Sequence, residues 1–249
     1  MIIRKSPEEI DRMRKAGHIV AETIEKTVAA VRPGIQTAEL DAVSERTIIE
    51  RGATPSFKGY RGFPASLCVS INEQVVHGIP GKRVLKEGDL VSLDFGAIWE
   101  GYHSDAAVSL FVGDAPSSEA EKLVRVTEEA LESGIAQIRL GGRLTDISHA
   151  VQQVVEGAGF TLVREYTGHG VGRALHEDPQ VYNYGAPGRG PELRPGLVIA
   201  VEPMAMLGDW PTRVLADNWT VVTEDGSLAA HFEHTIALTE DGAEVLTAA

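Results

Sequence analysis

The feature that most constrains the fold of this 249-residue chain is an internal repeat at an offset of 108 positions. Residues 85–94, with the sequence LKEGDLVSLD, align at that offset with residues 193–202, LRPGLVIAVE. Upstream, Thr37 and Thr145, which both stand at the start of a helix-like segment, keep the same offset. The repeat predicts two related halves, about 1–113 and 114–249, that form a single domain.

Hydrophobic periodicity predicts that each half runs from helices to strands. Ser6 and Pro7 mark the start of a first helix that ends before Pro33, and Thr37 caps a second helix that Gly52 closes. The other predicted helices cover 118–138 and 145–155, and the predicted strands cover 67–71, 90–95, 106–111, 162–166, 197–202 and 234–238. The order is typical of an α/β (α+β) fold in which helices flank a sheet.

Each half places a carboxylate where an apolar strand is predicted to end. Asp94 follows the strand of the first repeat, and Glu202 follows that of the second. Asp105 opens the next strand in the first half and Glu233 does so in the second, 128 positions later. The second half therefore carries an insertion of 20 residues between 204 and 232. Because an unpaired buried carboxylate is costly, the repeated pattern indicates a bound cation or a set of donors.

A His-Gly pair precedes the acids in each half, at His77 and at His169, and we pair these two histidines as counterparts. Four carboxylates carry about four negative charges near neutral pH, which two divalent cations would cancel. Two ions about 3.5 to 4 Å apart can share and acidify one water. One imidazole among four carboxylates favours Mn, Fe or Co over a sulfur-rich structural zinc site. Ordinary surface acids and core histidines are the alternative for each residue taken alone, but not for the ordered set.

Composition narrows the choice of partners and compartment. A formal net charge of -13 and a pI near 5.1 argue against stable binding to nucleic acid or to an anionic membrane surface. The sequence has no run of about 20 apolar residues, and residues 1–14 mix charges in a way that a signal peptide does not. Cys68 is the single cysteine, so no intramolecular disulfide can form. These features predict a cytoplasmic protein.

Several motifs match one known family in its order and spacing. They are His77-Gly78-Ile79-Pro80, Asp94 with Asp105, Gly168-His169-Gly170-Val171-Gly172 followed by His176-Glu177, Val201-Glu202-Pro203, and Phe232-Glu233-His234-Thr235. On these motifs the chain resembles a type I methionine aminopeptidase over nearly its full length. Type II members carry a large late insertion, whereas only 26 positions separate His176 from Glu202 here and 31 separate Glu202 from Glu233. The resemblance implies the pita-bread fold, an internally duplicated, pseudo-twofold antiparallel sheet platform flanked by helices.

The resemblance also implies a metalloaminopeptidase that removes the initiator methionine from nascent proteins when the second residue is small. The ligands that it implies for two divalent ions, Co, Mn, Fe, Zn or Ni, are Asp94, Asp105, His169, Glu202 and Glu233. Asp94 would bind one metal in bidentate fashion, and Asp105 and Glu233 would bridge the two. His169 and Glu202 would complete the second ion. These residues are predicted to form the metal site of a single catalytic domain.

Three residues would assist the reaction by the same resemblance. Glu202 would accept the proton of the attacking water, His176 would stabilise the oxyanion, and His77 would contact the amide on the leaving side. For His77, a loop residue held by backbone bonds is the alternative. Substrate binding would involve these two histidines and an apolar, adaptable methionine pocket. The residues implied for that pocket are Tyr60, Phe63, Cys68 and Trp219.

Two of the pocket residues, Leu175 and the histidines outside the motifs have further predictions attached to them. Phe63 and Cys68 could equally be ordinary core residues. Leu175 departs from the aromatic residue that many family members have before the second motif histidine, and this bears on the shape of the pocket. Four histidines that lack a motif are predicted on helix faces or at the surface: His18, His103, His149 and His231.

Two other functions remain as alternatives. An X-Pro aminopeptidase or prolidase-like peptidase shares the fold but normally adds an N-terminal domain, for which this chain has no room. A non-catalytic peptide-binding module of the same fold would have lost metal ligands, whereas all five are present. The expected partners are the N-termini of nascent polypeptides, met in a transient contact with the ribosome. We expect a monomer that binds neither nucleic acid stably nor membranes.

Overall fold

The computed structural model describes residues 1–248. Within them the α-helices are α1 (Pro7–Ala30), α2 (Thr37–Glu50), α3 (Ser118–Ile135) and α4 (Leu144–Gly157), with a short 3₁₀ helix at Tyr60–Gly62. The strands are β1 (Thr54–Pro55), β2 (Leu67–Ile71), β3 (Gln74–Val76), β4 (Leu90–Trp99), β5 (Tyr102–Phe111), β6 (Thr161–Leu162), β7 (Gly168–Gly170), β8 (Glu177–Val181), β9 (Leu197–Val201), β10 (Met204–Met206), β11 (Thr212–Val214), β12 (Val221–Thr223), β13 (Ala229–His231), β14 (His234–Thr239) and β15 (Gly242–Val245).

The first helix starts as the sequence predicts, and the second starts one residue earlier than its predicted cap implies. The Ser6 hydroxyl accepts a hydrogen bond from the Glu9 amide, and the Glu9 carboxylate accepts one from the Ser6 amide, which completes a capping box. For α2 the cap is Gln36, and Thr37 is already helical. The Thr37 hydroxyl bonds instead to the backbone of Gly81, so it is not free to cap the helix.

The strands that carry the first two acids are longer than predicted. β4 and β5 form a hairpin with a two-residue turn at Glu100 and Gly101, whose φ angles are 49° and 81°. Positive φ at both central residues matches the twist of the flanking strands, as in a type I′ turn. Asp94 and Asp105 therefore lie inside strands, and the prediction that one ends a strand and the other opens one is wrong. The predicted strand at 162–166 also differs, since β6 ends at Leu162 where its pairing with β10 stops.

Each half builds an antiparallel sheet with helices on one face. In the first half β4 pairs with β5 on one edge and with β2 and β1 on the other. In the second half the order is β15-β14-β9-β7-β8, so β14-β9-β7 repeats β5-β4-β2. Ile19 and Leu40 from α1 and α2 pack on Leu93 of β4, while Leu131 and Ile147 from α3 and α4 join the core of the second sheet. No helix within residues 1–248 combines the length and hydropathy that a membrane span requires.

Strand register defines the relation between the halves more sharply than the sequence does. Ser92 pairs with Ser109, and its counterpart Ala200 pairs with Thr235, which is 126 positions after Ser109. The offset between β5 and β14 is therefore 126, and the insertion is 18 residues long rather than 20. At this offset Ala107 corresponds to Glu233, and the two pair with each other in an antiparallel bridge. The pseudo-twofold axis passes through that bridge.

The register corrects two predicted equivalences. By strand position, Asp105 corresponds to His231 and not to Glu233, which takes the place of Ala107. Ser92 pairs with Ser70 in the first half, and the equivalent pair in the second half is Ala200 with His169. Ser70 is therefore the counterpart of His169, and the predicted pairing of His77 with His169 is wrong. The predicted pairs, Asp105 with Glu233 and His77 with His169, were matched because their side chains are chemically alike. The hydrogen bonds between the strands instead match Asp105 with His231 and Ser70 with His169.

The inserted segment of the second half forms a hairpin, β11 and β12, that crosses to the first half. β12 pairs with β3, the strand that ends one residue before His77. Trp219 lies on the chain between β11 and β12. The insertion therefore carries a tryptophan from one half to the His77 region of the other.

A buried ion pair fixes the N-terminal segment beside β8. The ammonium of Lys5 lies 2.7 Å from the Glu177 carboxylate, and the two side chains are only 3% and 8% exposed. The Lys5 backbone amide also donates to the carbonyl of Gly196. Glu177 follows His176 directly, so the pair holds the chain next to that histidine.

We predict that Lys5→Met lowers the free energy of unfolding by about 3–5 kcal/mol, because it leaves the Glu177 charge buried without its partner. Urea denaturation would measure the change. The double variant Lys5→Met/Glu177→Leu should recover much of the loss. Arg125→Met, which breaks an exposed pair with Glu129, is the control and should change stability by less than about 1 kcal/mol. An unchanged unfolding free energy in Lys5→Met would show that the buried pair adds no stability.

Candidate metal centre

The two sheets direct four carboxylates toward the seam between them, where the Ala107–Glu233 bridge joins the two halves. In the β4–β5 hairpin Asp105 stands opposite Gly96, and Asp94 is two residues before Gly96, so both acids point to the same face of the sheet. From the second half, Glu202 follows β9 directly and Glu233 precedes β14 directly. The Ala107–Glu233 bridge joins these groups across the seam. Acids that are far apart in the chain therefore meet at one place.

His169 of β7 faces two of these carboxylates. Its Nε2 atom lies 3.6 Å from Asp105 Oδ2 and 3.5 Å from Glu202 Oε1. Its Nδ1 atom donates to the carbonyl oxygen of Gly170 at 2.9 Å, which fixes the ring and leaves the Nε2 lone pair free to bind a cation. Burial lowers the pKa of His169 to about 4, so the ring is neutral near pH 7. A neutral imidazole is the form that binds metals.

The donor set fits a metal ion. Asp105, His169 and Glu233 each offer one ligand atom, and these three atoms all lie within 4.8 Å of one another. Asp94 has a buried oxygen, Oδ1, with no hydrogen-bond partner among residues 1–248. Since buried polar atoms are nearly always paired, this oxygen indicates a missing partner. A cation would satisfy it and would neutralise the surrounding acids.

The electrostatics lead to the same conclusion. Burial, together with the neighbouring carboxylates, raises the pKa of Asp94, Glu202 and Glu233 well above their usual values. Burial also raises the pKa of Asp105, although a hydrogen bond from Thr235 works in the opposite direction. Without a counter-ion the cluster therefore disfavours its own ionised state. Divalent cations would remove this penalty.

A cavity of about 300 Å³ lies over the acids. It brings together every residue that was predicted for the site, namely Tyr60, Phe63, Cys68, His77, Asp94, Asp105, His169, His176, Glu202, Trp219 and Glu233. These residues therefore lie together, as expected, while their individual roles in metal binding, catalysis and substrate binding remain predictions. A concave site with a mainly apolar wall and a few convergent polar groups is the usual form of a ligand-binding site.

Two predicted catalytic histidines lie beside the acids in different surroundings. The ring of His176 is centred 4.1 Å from that of His169, and its Nδ1 is 3.0 Å from the Tyr60 hydroxyl. His77 packs edge-on against Trp219 and has a φ of 59°, a conformation that costs energy for a non-glycine residue. Burial lowers the pKa of both His77 and His176 to about 4, so both are neutral near pH 7.

The apolar wall of the cavity is a separate small cluster. Phe63 and Trp219 meet edge to face with ring centroids 5.1 Å apart. Cys68, which is 5% exposed, and Leu175, which is 3% exposed, pack in the same cluster. Leu175 therefore takes part in the wall. Phe63 and Cys68 are buried and also line the cavity. Each is therefore both a core residue and part of the cavity wall.

The structure corrects the placement of two histidines that were predicted on helix faces or at the surface, since both are buried in strands. His103 is 8% exposed, and its Nδ1 is 3.0 Å from the Ser56 hydroxyl. His231 is 2% exposed and lines the cavity, where its Nε2 lies 3.8 Å from Glu202 Oε2. Burial lowers the pKa of His231 to about 3. The available signal was its position only two residues before Glu233, a predicted metal ligand.

Comparison with known proteins places this geometry in a family. Residues 11–240 match the family model described as metallopeptidase family M24. The chain belongs to this family. It is 56% identical to methionine aminopeptidase 1 of Bacillus subtilis (strain 168) over 247 residues, which cover 99% of each chain. It is 55% identical to methionine aminopeptidase of Clostridium perfringens, again over 99% of each chain.

Solved structures of M24 enzymes confirm the predicted pita-bread fold. The crystal structure of methionine aminopeptidase from Thermotoga maritima superimposes with a TM-score of 0.98 at 49% identity and covers 100% of both chains. Prolidase from Pyrococcus furiosus shares the fold with a TM-score of 0.81 at 23% identity, and the match covers 66% of that longer chain. The first comparison spans both molecules in full, whereas the second shows the fold alone.

We predict that Asp94→Asn stabilises the metal-free protein at high pH and not at low pH. The pKa of Asp94 is raised on folding, so its contribution to stability is present below the usual value of 3.8 and is lost as pH rises through the raised value. Asparagine carries no charge to bury. Urea unfolding of metal-stripped proteins should favour the variant by about 1 kcal/mol or more at pH 8 and by less than about 0.5 kcal/mol at pH 4.

Excess Mn²⁺ supplies the control for this comparison, since it should stabilise the wild-type protein at pH 8 and stabilise Asp94→Asn much less. A variant that is less stable than wild type at pH 8 without metal would contradict the assigned burial of negative charge.

Proposed function

We propose that this chain is a methionine aminopeptidase that hydrolyses the bond after an N-terminal methionine when the second residue is small. The observation that carries the proposal is the single cavity in which the four acids and His169 meet His77, His176 and an apolar wall. Membership of metallopeptidase family M24 supports peptide hydrolysis as the reaction. The apolar wall supports methionine as the residue that is removed.

Two divalent ions would be held by the acid cluster. Asp94, Asp105 and Glu233 would supply carboxylate oxygens, and His169 with Glu202 would supply a nitrogen and a further carboxylate. Such ions polarise a carbonyl and acidify a water at neutral pH. The oxygen-rich donor set favours Mn, Fe or Co, with Zn and Ni as weaker candidates on the ligand chemistry alone.

Glu202 is suited to move a proton at this site. Its side chain is 13% exposed, it faces His169, and burial raises its pKa well above the usual value. Glu202 also lines the cavity over the acid cluster, where a water held by the ions would be within its reach. We assign to Glu202 the acceptance of a proton from the attacking water and its return to the leaving amine.

His176 is suited to stabilise negative charge on the substrate carbonyl oxygen. We assign the Tyr60 hydroxyl as the donor to His176 Nδ1, which leaves the ring proton on Nε2. A neutral imidazole with its proton on Nε2 can donate to a developing oxyanion. His77, held in a strained conformation beside Trp219, is assigned to contact the peptide on the leaving side.

The pocket wall accounts for the choice of residue. Phe63, Cys68 and Leu175 are buried, and Tyr60 and Trp219 pack against them at the cavity. Methionine has a flexible, unbranched thioether side chain that fills irregular apolar space and makes favourable contacts with aromatic rings. A branched or charged side chain would fit this wall less well.

The remaining features of the proposal concern the cellular setting. The substrates would be nascent polypeptides in the cytoplasm, met in a transient contact with the ribosome, and the enzyme would act as a monomer. The halves 1–113 and 114–249 would act as one catalytic domain, because the ligands come from both. The net charge of -13 disfavours stable nucleic-acid binding.

We predict that the metal-stripped protein is inactive and that added Mn²⁺, Co²⁺ or Fe²⁺ restores release of methionine from Met-Ala-Ser. Free methionine would be measured by chromatography over time. Ala-Pro-Gly is the matched substrate for the X-Pro alternative and should be cleaved at least about 100-fold more slowly. Activity without metal, or cleavage of the proline peptide only, would reject the proposal.

We predict that Glu202→Gln lowers kcat/KM at least about 100-fold, because the amide cannot accept the proton. The variant should keep the circular dichroism spectrum of the wild type. Glu224→Gln, which changes an exposed acid outside the cavity, is the control and should retain wild-type kinetics. If Glu202→Gln were fully active, the proton would have to move through another group.

A further inference from the structure

His231 is a buried polar side chain at the cavity that the proposed reaction does not use. It is 2% exposed, and its Nε2 atom has no hydrogen-bond partner among residues 1–248. A buried ring nitrogen without a partner is unfavourable, since water would otherwise satisfy it. The group that His231 faces is Glu202, whose Oε2 lies 3.8 Å from Nε2.

Two imidazoles therefore flank the Glu202 carboxylate. His169 Nε2 lies 3.5 Å from Oε1, and His231 Nε2 lies 3.8 Å from Oε2. Both separations are too long for a hydrogen bond. Each separation falls within the roughly 3 to 4 Å between two ligand atoms that bind one metal at about 2.0–2.2 Å, and the two imidazoles face different oxygens of the carboxylate. In the tautomer that carries its proton on Nδ1, His231 Nε2 has a free lone pair, which such an ion would engage.

The backbone holds His231 firmly in this position. The Ser109 hydroxyl donates to the His231 carbonyl at 2.8 Å and accepts from the His231 amide at 2.9 Å. Ser109 is itself bonded to Ser92 at 2.7 Å, which ties His231 to the β4–β5 hairpin. On the other side, His231 pairs with Met204 of β10. A ligand whose backbone is fixed from both sides loses little freedom on binding a metal.

We propose that His231 is a further protein ligand, through Nε2, of the metal ion held by His169 and Glu202. The inference rests on the proposed metal centre and deepens it by giving one ion a second imidazole nitrogen. Imidazole donors suit Fe, Ni, Cu and Zn, whereas Mn²⁺ prefers carboxylate and water oxygen. His231 therefore shifts this centre toward the nitrogen-preferring metals.

The experiment counts nitrogen ligands directly. Metal-stripped protein would receive one equivalent of Cu²⁺, and electron paramagnetic resonance would resolve the nitrogen hyperfine coupling. The wild type should show coupling to two imidazole nitrogens, and His231→Gln should show coupling to one. Glutamine keeps a polar side chain of similar length, and thermal unfolding of the metal-free variant would establish that it folds.

Metal affinity gives an independent readout that does not require catalysis. His231→Gln should weaken Ni²⁺ binding, measured by competition with a chromophoric chelator, at least about tenfold, and should change Mn²⁺ binding by less than about threefold. His103→Gln is the matched control, because His103 is also buried but is bonded to Ser56. It should leave the nitrogen count and both affinities unchanged.

The His169→Gln variant separates failure of this inference from failure of the proposed centre. If His169→Gln loses nitrogen coupling and affinity while His231→Gln matches the wild type, His231 is not a ligand and the centre stands. If neither variant differs from the wild type, both the centre and the role of His231 are rejected. Loss of one nitrogen and of Ni²⁺ affinity in each variant supports the inference.

Discussion

The cost of burying four carboxylates together is the constraint on which the rest of this structure depends. Asp94, Asp105, Glu202 and Glu233 repel one another, and burial raises the pKa of each. Side chains cannot gather such a cluster unaided, because each would gain by moving to water. The backbone ladders of two sheets therefore have to hold the acids in place. Metal ions would then recover the energy that the cluster costs.

The acids lie at the seam between the halves. Equivalent strand positions there carry different side chains in the two halves, and these differences determine which donors the site contains. Ala107 and Glu233 are counterparts that pair with each other, yet only one of them carries a carboxylate. Asp105 and His231 are likewise counterparts by register, so an acid in one half occupies the strand position that an imidazole occupies in the other. An exact duplication would have placed the same donor on both sides. The differing donors would allow two neighbouring ions, as proposed, to have different ligands.

The sequence predicted the family, the fold and the residues that line the cavity, because the repeat and the spaced motifs are properties of the chain itself. It could not predict register. Chemical likeness aligned Asp105 with Glu233, but the ladders place Ala107 there, and a shift of two residues leaves side chains on the same face. His231 was misplaced because a single histidine without a motif looks like a surface residue. Its burial follows from Ser109 and Glu202, which are distant in the chain.

The insertion shows why the halves depend on each other beyond the metal ligands. β12 belongs to the second half by sequence but pairs with β3 of the first half, in a separate three-stranded sheet with β11. It brings Trp219 against Phe63 and His77, so the apolar wall is also assembled across the seam. Opening the seam would therefore separate the proposed metal ligands and also the two parts of the apolar wall. Neither half alone contains all four acids or the whole apolar wall of the cavity, so we propose that the two act as one functional unit.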